Sequence, residues 1–145
     1  MESTAMLVSI YKDQTAIVNG LWTIYQAVSL ASLGYVFSQE FVRKSPWILG
    51  FLTASYLFFS IANQRAILRS QEIIYAASSE LKIISGQPST DRHLRSVLNT
   101  YDAVPASELM FGHYAFSSLV VSAFWVLFAV SYFQGRKANA LSQGA

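Results

Sequence analysis

Three stretches of this chain contain no Asp, Glu, Lys or Arg: Gln14 to Gln39, Ser45 to Gln64, and Leu109 to Gly135. A helix needs about 20 mostly apolar residues to cross the hydrocarbon core of a bilayer, and each stretch is rich enough in Leu, Ile, Val, Phe, Tyr and Trp to do so. A soluble domain would interrupt such runs with charge. The chain has 145 residues, of which 53% are hydrophobic and 12% charged; soluble domains average about 25% charged. Mean hydropathy is +0.36. The fold class that follows is an all-α integral membrane protein. It has three transmembrane helices, the second extended into a long extramembrane helix, and a short amphipathic helix before the third.

Residues 1–145 are expected to form a single membrane domain. Its spans cover about 15–37, 46–64 and 109–133, an extramembrane helical hairpin covers about 65–108, and 138–145 is a flexible tail. Pro46 suits a first helical turn, where its missing N–H costs nothing, and Trp47 suits the membrane–water interface. From Thr53 a stripe recurs at steps of three and four: Thr53, Tyr56, Ser60, Asn63, Ile67, Ser70, Ile74, Ala77, Leu81 and Ile84. This is the seam of a heptad repeat. Its residues are polar within the membrane and mostly apolar beyond Gln64. A helix in lipid turns polar groups toward its partners, and a helix in water turns apolar ones. One helix from Pro46 to about Ser85 is expected, ended by Gly86-Gln87-Pro88. Ser89 or Thr90 is the expected cap of a short helix over Asp91 to Tyr101. Pro105 opens the third long helix, with Glu108 in its first turn.

The opening residues lack the basic segment and small-residue cleavage site of a signal peptide. No lipidation motif is visible: Glu2 stands where myristoylation needs glycine, and there is no cysteine to prenylate. The lack of cysteine also excludes disulfides and thiolate chemistry. With the N-terminus inside, the cytoplasmic side carries Lys12, Arg65, Arg69, Lys82, Arg92 and Arg95. The outside carries Arg43, Lys44, Arg136 and Lys137. The larger inside set favours that orientation, although the flanks of the first helix alone point the other way.

The first span holds the candidate pore lining. Thr15, Asn19, Thr23 and Gln26 fall on one narrow arc that begins at Lys12. Beside it lies a stripe of small residues: Ala16, Gly20, Ala27, Ala31 and Gly34. Hydrocarbon offers amides no hydrogen-bond partners, so two readings stand. Asn19 and Gln26 either bond across a helix interface as glue, or their face lines a water-filled pore built from several copies. Gly20, Ala27, Ala31 and Gly34, with Ile67, Ile74, Ala77, Leu81 and Ile84, are the candidate seams for oligomer or helix packing. In the third span Ser118 and Ser122 form a small-xxx-small pair. His113 reads as an interfacial side chain, and His93 as a solvated one.

Arg65, Arg69, Arg92 and Arg95 are candidate contacts for an acidic ligand, a regulatory partner or lipid headgroups at the hairpin. Against that stands a solvated face balanced by Glu72, Glu80, Asp91 and Asp102. The net charge of +2 does not indicate nucleic acid. No paired carboxylates, phosphate loop or metal-ligand spacing is visible, so no enzyme, cofactor or metal is expected. The expected partners are the lipid bilayer and further copies of the chain.

The layout from Thr15 to Ser85 is two spans with a long seam-bearing helix continuing from the second, and a third span closes the chain. It resembles small bacterial membrane effectors of the SLATT type, which are associated with antiviral defence and permeabilisation of the inner membrane. The third span departs from a simple two-span pattern. The resemblance implies a bacterial inner-membrane location and a homo-oligomer forming a gated, ion-conducting pore. The alternative is a non-conducting scaffold or accessory subunit of a larger membrane complex.

Overall fold

A computed structural model describes residues 2–88 and 90–143, with side chains as far as Lys137. All regular structure among these residues is helical: α1 (Glu2–Ser38), α2 (Glu40–Lys44), α3 (Pro46–Gly86), α4 (Arg92–Leu98) and α5 (Ala106–Gln143). Three of them, α1, α3 and α5, are long and apolar enough to cross a membrane. Only 17 to 22% of their most apolar windows is buried inside the protomer. Most of that apolar surface therefore faces outward, as lipid exposure requires.

The helix boundaries follow from local chemistry. Gln39 and Ser45 are both extended and bracket α2, a turn of helix between the first two long helices. Ser45 precedes a proline, and the proline ring excludes the helical conformation from the residue before it. The Ser45 hydroxyl accepts the Ile48 N–H at 3.5 Å, and α3 starts at Pro46. It runs unbroken to Gly86, the single helix that the seam predicts. The Thr90 hydroxyl donates to the Ile84 carbonyl at 2.6 Å, so Thr90 closes α3 and does not cap α4. Asp91 is the cap, accepting the N–H groups of His93 and Leu94 at 2.8 and 3.4 Å. A short carboxylate next to free N–H groups outcompetes a hydroxyl already engaged elsewhere. Ser89, the other expected cap, lies outside the described residues. Helix α5 continues to Gln143, through residues expected to be a flexible tail. Ala138, Ala140 and Leu141 are good helix formers, and no Gly or Pro interrupts before Gly144. Gly144 and Ala145 lie outside the described residues.

The chain divides into two compact units. The first comprises Met1–Thr23 and Asn63–Gly112. Val18, Ile67 and Ile74 form its apolar cluster, against which Tyr11, Leu21, Trp22, Ala103 and Leu109 pack. The second comprises Ile24–Ala62 and His113–Ala145. Tyr25, Val36, Leu49, Tyr56, Val120 and Phe124 are its buried apolar and aromatic residues, with Ser29, Ser60, His113 and Ser117 buried among them.

Candidate functional site

The inward face of α1 carries Val18, Tyr25, Ser29 and Val36, all buried. Steps of seven and four residues keep these on one side of a helix. Asn19, Thr23 and Gln26 therefore stand outward, and all three are exposed on the protomer, as is Lys12. The Thr23 hydroxyl is satisfied by the Asn19 carbonyl of its own helix, at 2.9 Å. Thr15 departs from the arc. It is half-buried, and its hydroxyl donates to the Tyr11 carbonyl at 2.7 Å.

The small residues Gly20, Ala27, Ala31 and Gly34 are exposed as well. A methyl group added at Gly20 or Gly34 would meet nothing within 4 Å. The stripe is thus unused for helix packing within one chain. Ser118 and Ser122 of α5 also face outward.

The α3 seam behaves in the opposite way. Ile67, Ile74, Ala77 and Leu81 are buried and Ile84 half-buried by the chain's own α1 and the segment around residues 98–104. Within one chain these side chains are already buried, as a helix-packing seam requires. The N-terminal half of α1 supplies part of that cover, with Val18 and Tyr11 packed against Ile67 and Ile74.

Arg65, Arg69, Arg92 and Arg95 are all exposed. They form two separate pairs. The Arg95 guanidinium donates to the Gln87 carbonyl at 3.1 Å, which ties α4 to the far end of α3. Arg69 lies 17 residues before Gly86, the end of that helix, or about 26 Å at 1.5 Å per residue. One small acidic ligand cannot bridge both pairs.

The second unit contains a buried hydroxyl cluster, of which the seam places only Tyr56 and Ser60 toward partner helices. The Tyr25 hydroxyl lies 2.5 Å from that of Ser117, and Ser117 lies 2.7 Å from Ser60. Ser29 sits 2.9 Å from the Tyr56 hydroxyl and donates to the Tyr25 carbonyl at 2.7 Å. His113, expected at an interface, is buried and stacks on the Tyr25 ring with centroids 4.1 Å apart. The signal was present as a repeated spacing: Tyr25 and Ser29, Tyr56 and Ser60, His113 and Ser117. Each long helix carries an aromatic ring followed by serine four residues later, on the same helix face.

No protein-family model, curated protein or solved structure matches this chain. The geometry therefore has to carry the functional reading. The buried hydroxyls satisfy one another inside the protomer and hold the three long helices together. The exposed amides of α1 are what remains available to something outside it.

Proposed function

We propose that this is a homo-oligomeric membrane protein in which copies of α1 surround a gated, ion-conducting pore. One observation carries the reading. Within the charge-free stretch of α1, Asn19, Thr23 and Gln26 lie exposed beside Gly20, Ala27, Ala31 and Gly34, while the face with Val18, Tyr25, Ser29 and Val36, about a quarter turn around the helix from the amides, is filled by the chain's own core. An amide facing acyl chains lacks partners and is costly. Sister subunits and water satisfy it, and the adjoining small residues permit close approach of a neighbouring helix.

Polar groups along one side of a helix replace part of an ion's hydration shell when several copies face a common axis. Lys12, exposed about two turns before Asn19, sets the charge at its mouth. The distribution of basic residues favours an N-terminus inside and a C-terminus outside. A role as a membrane-permeabilising effector of bacterial antiviral defence, in the inner membrane, rests on the resemblance in layout alone.

The test is conductance of purified protein in planar bilayers. Discrete steps are expected, and the double variant Asn19→Leu with Gln26→Leu should reduce them while the mass of the detergent-solubilised assembly stays unchanged. Undiminished conductance in a correctly assembled double variant rejects this lining. A monomeric mass instead supports the accessory-subunit alternative, in which another membrane protein covers the same face.

A further inference from the structure

The first unit contains a cavity of about 170 Å³. Tyr11 and Trp22 supply aromatic walls, Ile74 lies among its apolar residues, and Asn19, Gln71 and Asp102 bring polar groups to it. Neither Lys nor Arg lines it. Its hydrogen bonds are committed in one direction. The Tyr11 hydroxyl donates to the Asp102 carbonyl at 2.6 Å, and the Gln71 amide nitrogen donates to the Val104 carbonyl at 2.6 Å. Tyr11 and Gln71 thus spend donors on the backbone, leaving the Gln71 amide oxygen, the Asn19 carboxamide and the spare acceptor sites of the Asp102 carboxylate, which is largely exposed and already accepts from the Ala103 N–H at 3.1 Å.

Acceptor oxygens, a carboxylate and two electron-rich rings select a cation that carries N–H donors. An enclosed cavity of about 150 Å³ accommodates benzene, and this pocket is half open, so the part of an occupant held against the wall is of roughly that size. We propose that this pocket binds a small primary organic ammonium ion with a short apolar body. Its ammonium would meet Asp102 and Gln71, and its alkyl part the apolar wall. The preferred charge is opposite to that of the acidic ligand expected from the hairpin arginines.

Lys82 already holds Asp102, with its ammonium 2.8 Å from the carboxylate. Both side chains are more than half exposed, at 52% and 73%, so water screens the pair. A ligand ammonium in the pocket competes with Lys82 for the same carboxylate, and that competition separates a binding role from a bracing one.

The experiment uses the full chain in detergent with Trp47→Phe and Trp125→Phe, leaving Trp22 as the fluorophore. The probes are n-butylammonium, n-butanol and n-butyrate at constant ionic strength. A saturable change in emission is expected for n-butylammonium alone. Asp102→Asn should weaken binding by about tenfold, the loss of one charge-assisted contact, and Lys82→Met should tighten it. Equal binding of n-butanol overturns the proposal, as does no saturable binding. So does equal weakening by both variants, which would make the carboxylate a brace. Asn19 borders both this pocket and the outward arc of α1, but neither Asp102 nor Lys82 lies on that arc and the readout involves no conductance, so the pocket and the pore fail or stand separately.

Discussion

The two units solve the same problem of buried polar groups in different ways. In the first, side chains bond to main-chain carbonyls of the irregular segment 99–105. Gln71 reaches Val104, Ser78 reaches Tyr101 and Tyr11 reaches Asp102. In the second, hydroxyls on different helices bond to one another, as Tyr25 and Ser60 do to Ser117. The reason is where backbone groups go unpaired. Long helices satisfy their own carbonyls, whereas a connecting segment cannot. The exteriors differ too. The first unit exposes Lys12, Arg65, Arg69, Glu72 and Glu80, and the second exposes Leu30, Phe51, Phe58 and Leu119. Inside composition alone would not tell the units apart. Their partners and their outer surfaces do.

The largest effect should come from placing charge on the two exteriors. Phe58 is 78% exposed and Tyr75 67%, so neither substitution disturbs a core. Phe58→Arg should cost about 2.5–3.5 kcal/mol of insertion free energy if lipid surrounds it, and Tyr75→Arg should be tolerated. Membrane fractionation measures both. Equal tolerance would erase the contrast between the exteriors.

The interiors come next. Gln71→Leu strands the Val104 carbonyl and should destabilise by about 1–3 kcal/mol. Tyr25→Phe removes one member of the hydroxyl cluster, a loss of about 0.5–2 kcal/mol on the scale of interhelical bonds in membranes. Thermal unfolding in detergent ranks them, and a reversed order would mean that the hydroxyls are the stronger tie.

The smallest effect should be Lys82→Met. The hydrogen bond and charge of Lys82 hold the Asp102 carboxyl below its ordinary 3.8, and the same contact holds Lys82 above 10.5. The Asp102 part of this stabilisation is lost as pH falls through the lowered value, and the Lys82 part as pH rises through the raised one. Between 3.8 and 10.5 the difference in Tm between variant and parent should be small and flat. It should disappear in stronger acid. A neutral-pH loss as large as that of Gln71→Leu would promote this exposed pair to a main tie.

How much of this was legible in the sequence depends on contrast. The extent of α3 was readable because its seam changes from polar to apolar near Gln64 while keeping its period. The inward face of α1 was not. In a charge-free stretch, side chains meeting lipid are as apolar as those meeting another helix, so Ile17 and Ile24 look no different from Val18. Gly20 and Ala27 resembled a packing stripe and remain uncovered, while Tyr25 was passed over and lies at the centre of the second unit. The cap of α4 was misplaced by one residue because Thr90 and Asp91 both suit that role in isolation, and only the folded chain shows Thr90 committed to Ile84.

The serine–tyrosine cluster has one more consequence. Ser29 is committed to the Tyr25 carbonyl, but the Tyr25, Ser117 and Ser60 oxygens can each give or take a hydrogen. The bonds can run from Tyr25 through Ser117 to Ser60, or back from Ser60 to Tyr25 and on to the His113 carbonyl, 3.3 Å away. Two opposite proton orders thus share one set of heavy-atom positions. The hydrogen bonds between Tyr25, Ser117 and Ser60 can run in either sense on fixed oxygens, and the sign of the small local dipole follows that sense.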